Sequence, residues 1–221
     1  MTDDVVLCGA AYSTYVRTAR MALHLKGVPY ATTVDTLEAV LGGGLKAHHA
    51  FNRMPALRHG GVHLYETLAV VSYIDDLFDG PRLFPTEPLA KARVLQWIST
   101  YNDYLVRDMI IDYVRVYAFA GGTDRACIDR AAPRIARNLA LLDETYGDRD
   151  WLVGNSLTAA DLFLAPAIAY LKAFPESAAM LPQYPNVMRA HATIATTEAF
   201  RATEPPRMKA KAAAEVFRPR A

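Results

Sequence analysis

Apolar positions along the chain fall into two regimes. Short apolar runs alternate with helical repeats from Val5 to Leu77, and only helical spacing persists from Leu89 to Arg201. Val5 to Leu7 reads as a buried strand ending near Gly9. Ser13 then precedes a helical pattern of Val16, Ala19, Leu23 and Leu25, with Arg17, Arg20, His24 and Lys26 on the more polar positions. Gly27 and Pro29 supply its stop. Tyr30 to Val34 is β-branched and aromatic and predicts the next strand, closing a β-α-β unit with a right-handed crossover. Thr36 to His49 stays ambiguous, because Gly42, Gly43 and Gly44 interrupt a weak helical signal.

The next stretch organises the rest. Pro55 stands at the mouth of a predicted strand, Ala56 to His59, a place where proline is tolerated. The bond before it is the kind in which a cis peptide is cheap. A glycine turn at Gly60 and Gly61 leads to a returning strand, Val62 to Tyr65. Glu66 and Thr67 open a helix with Leu68, Val71, Ile74 and Leu77 at a period near 3.6. A helix start carrying a hydroxyl suits a carboxylate, and the backbone at Met54 offers an edge to an extended peptide. Together these predict a small peptide-binding notch with an anion end.

Residues 81–88 hold three prolines and no apolar period, which divides the chain into 1–80, a linker, and an all-helical part at 89–221. One long helix is expected over Leu89 to Phe119, stopped by Gly121 and Gly122. Another spans Asp124 to Tyr146, with Pro133 expected to kink or break it. Thr158 is an N-cap with Asp161 at the capping-box position, and Leu157 with Leu162 forms a hydrophobic staple; this helix is expected to reach about Phe174. Pro185 and Asn186 open a final helical pair ending at Pro205, before a basic tail, Arg207 to Ala221, expected to be loose.

Composition narrows the function. The 24 basic and 23 acidic residues give a net charge of +1, so nothing electrostatic points to nucleic acid or an anionic membrane. No apolar run approaches the roughly 20 residues of a membrane span, and the acidic start is no secretory leader. Cys8 and Cys127 form no CxxC pair, which fits a reducing cytoplasm. The six histidines, His48 and His49 included, show no metal-ligand spacing and are expected on surfaces or loops.

Four motifs stand in register: Ser13-Thr14-Tyr15-Val16-Arg17, Arg53-Met54-Pro55-Ala56-Leu57, Leu64-Tyr65-Glu66-Thr67, and Trp151 to Asp161. In this order the chain resembles the cytosolic glutathione S-transferases over about Val5 to Arg201. The resemblance implies a thioredoxin-like α/β domain that binds glutathione, followed by an all-α domain, in a cytoplasmic homodimer with glutathione as co-substrate and no cofactor or metal. It matches Met54 to the residue whose backbone pairs with the cysteinyl part of glutathione, beside the cis Pro55. It matches Glu66 and Thr67 to the pair holding the γ-glutamyl end, Arg53 to a position that reaches the glycyl end, and Ser13 to the thiolate's hydrogen-bond donor. Thr14 stands where proline is common, His49-Ala50-Phe51-Asn52 replaces Asn-Pro-x-Gly, and glycines precede Lys46 where glycyl-binding basic residues usually lie.

The chemistry agrees with the resemblance. A helix N-terminus lowers a thiol's pKa, and a serine there donates a hydrogen bond to the thiolate rather than acting as a base. Ser13 also serves as an ordinary N-cap; Tyr12 is the competing donor, whereas Tyr15 and Cys8 read as packing. Tyr101, Tyr104, Asp108, Ile111 and Arg115 recur at three- and four-residue steps and are expected to share one helix face. Together with Tyr12 that face would receive a small apolar electrophile, and ordinary core is the alternative for it. Phe51 is a candidate to plug a partner subunit. A non-catalytic binding or regulatory protein of the same fold stays open, as does a glutathione-dependent isomerase, dehalogenase, thioether-cleaving enzyme or peroxidase.

Overall fold

The computed structural model describes residues 4–205. The basic tail at 207–221 lies outside the described residues, as does most of the acidic N-terminus. Among the described residues, those up to Lys91 together with 195–205 form one compact unit, and Ala92–Ile194 form a second.

In the first unit β1 (Val5–Cys8), α1 (Thr14–Leu25), β2 (Tyr30–Thr33), α2 (Leu37–Leu41), β3 (Ala56–His59), β4 (Val62–Tyr65) and α3 (Thr67–Leu77) follow in order. The ambiguous stretch resolves into α2 and a 3₁₀ turn, Gly44–Ala47. The sheet runs β2-β1-β3-β4, with β1 parallel to β2 and the other pairs antiparallel. Period-2 alternation sends Leu7 and Cys8 to opposite faces. Cys8 and Ala56 pack with Leu45 on one face, beside Val34, Val40 and Met54.

The supposed linker is pinned to this unit. The Asp75 carboxylate, fully buried in α3, accepts from Leu83 N and Phe84 N at 2.8 and 3.0 Å and pairs with buried Lys26 at 2.8 Å. Burial pushes the Asp75 carboxyl up, but Lys26 and the two backbone donors outweigh it and hold it below the usual range. The C-terminal helix α10 (Glu198–Ala202) also belongs here, whereas the sequence division assigned it to the helical part. Arg17 of α1, only 3 % exposed, donates to Phe200 O at 2.9 Å and lies 4.0 Å over the Phe200 ring.

The second unit is helical: most of α4 (Pro88–Thr100), α5 (Arg115–Ala120), α6 (Arg125–Tyr146), α7 (Ala159–Leu171), α8 (Pro175–Met180) and α9 (Pro185–Ala195). The helical stretch expected over 89–119 is helical from Pro88 to Ala120 and stops at Gly121, but its winding differs from the α-helix expected. Tyr101–Leu105 and Arg107–Val114 are π-helical and separate α4 from α5. Helix α6 runs unbroken through Pro133. That proline is exposed, so the carbonyl it leaves without an intrahelical donor lies toward water. Helix α7 starts where the capping box places it but stops at Leu171, short of Phe174. Thr158 N and Oγ1 both donate to Asp161 Oδ2, at 2.8 and 2.9 Å.

Candidate functional site

Strand register gathers the predicted notch. Cys8 is paired with Ala56, and Ala56 with Tyr65, so the next residues, Gly9, Pro55 and Glu66, meet at one end of the sheet. Gly9 (φ 136°) lets them close up: a Cβ there would come within 2.7 Å of Val16 Cγ2 and 2.8 Å of Met54 Cβ. Ala10 N donates to Met54 Sδ at 3.3 Å, tying the entry to α1 against the proline loop. The Met54–Pro55 peptide is cis. Among the described residues the Met54 backbone N–H and C=O have no hydrogen-bond partner, which leaves an edge open to an extended peptide.

Ser13 is the N-cap of α1, accepting from Val16 N at a long 3.4 Å. Its own N–H donates to Ala10 O at 3.0 Å. The hydroxyl proton has no acceptor among the described residues and is available to an incoming atom. No acidic residue stands in the first turn of α1, so the positive end of the helix is not neutralised there. The corner can therefore stabilise an anion such as a thiolate. Tyr12 is half-buried one residue away.

Across the notch, Thr67 is the first residue of α3 and is 6 % exposed, while the Glu66 carboxylate is 67 % exposed. Glu66 holds φ 71° and ψ 120°, outside the ordinary L-residue regions. Asn52 takes φ 52°, serving as the glycine commonly found there would. Arg53 and Lys46 are exposed near this corner. The expectation that the histidines lie on surfaces or loops is corrected for His191, which is 6 % exposed within α9; His49 is on a loop as expected, yet only 3 % exposed. His49 packs on the Tyr65 ring at 4.5 Å. Sequence reasoning missed both His49 and the buried Arg17, since a polar residue at a polar position gives no sign of burial.

The five residues expected on one face of a long helix do not share it. Tyr101 is buried against Phe163, and Asp108 is buried, accepting from Arg134 Nε at 2.6 Å and Asn138 Nδ2 at 2.8 Å. Tyr104, Ile111 and Arg115 are exposed. The π-type i→i+5 bonding widens each turn, so three- and four-residue steps no longer follow one stripe.

A family model described as the glutathione S-transferase N-terminal domain matches residues 7–82, and one described as the C-terminal domain matches 106–198. The chain belongs to the glutathione S-transferase family. A probable glutathione S-transferase of Solanum tuberosum is 26 % identical over 168 residues, 76 % of this chain and 73 % of that protein. Glutathione transferase F7 of Populus trichocarpa superposes with TM-score 0.80 at 25 % identity, covering 90 % of this chain and 97 % of its own. A glutathione S-transferase of Methylobacillus flagellatus, solved with glutathione bound, gives 0.79 at 23 % identity over 92 % and 100 % of the two chains. The N-terminal match contains Ser13, Met54, Pro55, Glu66 and Thr67 together. Its four-stranded mixed sheet and the helical region after it are the fold expected of a glutathione transferase.

Proposed function

We propose that this chain is a glutathione transferase of serine type that adds the glutathione thiolate to a small apolar electrophile. The observation that carries this is the convergence at one sheet end of the Ser13 helix cap, the open Met54 edge and the Glu66-Thr67 helix start. Thr67 and the Glu66 carboxylate take the γ-glutamyl end, Met54 pairs with the cysteinyl peptide, and Arg53 reaches toward the glycyl end. The Ser13 hydroxyl and the first N–H groups of α1 hold the sulfur as thiolate. The thiol proton leaves to solvent and the sulfur lone pair forms the C–S bond as the electrophile's leaving group departs, or as its ring or C=N π bond opens and the resulting anion takes a proton from solvent. Glutathione is consumed as co-substrate and no cofactor enters.

Within the helical unit, Tyr104, Ile111 and Arg115, exposed there, are the residues we assign to the electrophile. Phe51, 72 % exposed on its loop, is proposed as the contact to a second copy in a cytoplasmic homodimer that serves detoxification. None of the described helices is long and apolar enough to cross a membrane. Calorimetric titration with glutathione, followed by turnover with an aryl halide, an epoxide, an isothiocyanate and a hydroperoxide, tests the reading. Glutathione binding with conjugation of the aryl halide, the epoxide or the isothiocyanate is expected, and turnover of the hydroperoxide alone, oxidising two glutathiones to the disulfide, would make the protein a peroxidase. Binding without turnover of any of them would make the protein a binding module instead.

A further inference from the structure

One face of the sheet is only partly covered. Strand register and period-2 alternation put Val6 and Cys8 of β1, Ala56 and Arg58 of β3 and His63 of β4 on it together. Leu45 packs on its Cys8–Ala56 end, but α2 is only five residues long and stops at Gly42. A cleft of about 130 Å³ remains there, within the first unit, lined by these five strand residues with Thr33 and His48. Cys8 and Ala56 are buried at its floor, Val6 and His48 are half-buried, and Arg58 and His63 stand exposed at its rim. Arg58 lies directly opposite His63 in the β3–β4 register, where a carboxylate would be the stabilising partner. No carboxylate lines the cleft, and the side chains of Arg58, His63 and His48 have no hydrogen-bond or ion-pair partner among the described residues. Burial pushes the Cys8 thiol up to about 11, so the floor adds no negative charge.

We propose that this cleft is a second binding site, for a small aromatic carboxylate, separate from the glutathione notch. An apolar cavity of about 150 Å³ holds one benzene molecule, so the space over Val6, Cys8 and Ala56 takes a single ring. The carboxylate then lies at the rim, where the Arg58 guanidinium presents a planar fork of N–H donors and the two imidazoles add theirs. Thr33 supplies a hydroxyl from the β2 side. An anion without a ring would leave the apolar floor in water, and a neutral ring would leave Arg58 without a counter-charge. The notch begins beyond Cys8, Ala56 and Tyr65, whereas Arg58 and His63 lie two residues further into the sheet, so both sites can be filled together. The second site holds its ligand whether or not the notch takes glutathione.

Calorimetric titration of the full chain with benzoate tests this, with benzamide as the neutral probe and acetate as the ringless one. Thermal unfolding is run on every variant to establish folding. One benzoate per chain should bind, with benzamide and acetate each roughly tenfold weaker or worse. Arg58→Gln should weaken benzoate about tenfold, as loss of a charge-assisted contact at a solvent-facing rim does. His63→Leu, which removes a neutral contact from the opposite strand, should weaken it about two- to fivefold. Excess glutathione should leave the benzoate affinity within about twofold, as expected of separate sites. Benzoate displaced by glutathione, or bound undiminished by both Arg58→Gln and His63→Leu, would sit elsewhere on the chain and overturn the proposal. Absence of binding to the wild type, or equal affinity for benzamide or acetate, would overturn it as well.

Discussion

Glu66 carries a backbone geometry that no helix or strand asks for. A non-glycine residue at φ 71° and ψ 120° stores about 1–3 kcal/mol, which persists only where the surroundings impose it. Here the imposition comes from the turn out of β4 into α3, which leaves Thr67 to start the helix. Glu66→Gly should therefore raise stability by about 1 kcal/mol while weakening glutathione binding, measured by denaturant unfolding and calorimetry. A variant both less stable and unchanged in affinity would contradict this. At this scale the sequence was readable where a residue's chemistry is local. Ser13 as a cap, Pro55 at a strand mouth and Glu66-Thr67 at a helix start all follow from neighbours within four positions. His49 and Arg17 were not readable, because each is buried by partners from elsewhere: Tyr65 and Glu66 for the first, Phe200 and Thr203 for the second.

Helix α7 owes its start to the capping pair Thr158 and Asp161. Asp161 accepts from Leu152 N at 2.9 Å and from both Thr158 donors, although burial pushes its carboxyl up to about 6 against those hydrogen bonds. Thr158→Ala should cost about 1 kcal/mol of stability with turnover per folded molecule unchanged, checked by thermal unfolding and active-site-normalised rates. Helix α8 is tied in by Glu176, which accepts from Tyr113 and Tyr117 and pairs with Arg125 at 2.7 Å. Burial raises the Glu176 pKa, but these donors outweigh it and bring the carboxyl down to about 2. A folded pKa below the ordinary 4.5 gives stability present above that value and lost as pH falls toward 2. Glu176→Gln should lower stability at neutral pH and flatten the loss between about pH 5 and 2, read from unfolding free energies across that range. The elements themselves were legible wherever period and caps agreed, as for α1, β3, β4 and α7. The π-helical segments were not, since their apolar spacing imitates an α-helix until the neighbouring packing fixes the wider turn.

For the molecule as a whole, the family matches at 7–82 and 106–198 fit a protein that acts on glutathione, and exposed Phe51 is the contact proposed to a second copy. Sedimentation equilibrium should return a dimer, shifted toward monomer by Phe51→Ala; a monomer in the wild type would remove that proposal. The change from an α/β part to a helical part was legible in the loss of strand signals after Tyr65, but the return of α10 to the first unit depends on Arg17 and was not. The central claim is that glutathione bound here is held as its thiolate by Ser13. Thiolate absorbance of bound glutathione, titrated with pH in the wild type, Ser13→Ala and Tyr12→Phe, tests it most directly. A hydrogen bond to a charged acceptor is worth about 1.5–3 kcal/mol, so Ser13→Ala should raise the bound thiol's pKa by about one to two units. Near neutral pH that corresponds to a rate roughly ten- to a hundredfold lower, recovering as pH rises. Tyr12→Phe should leave the thiol pKa where it is in the wild type. A pKa moved by Tyr12→Phe and unmoved by Ser13→Ala would contradict the assignment and make Tyr12 the donor.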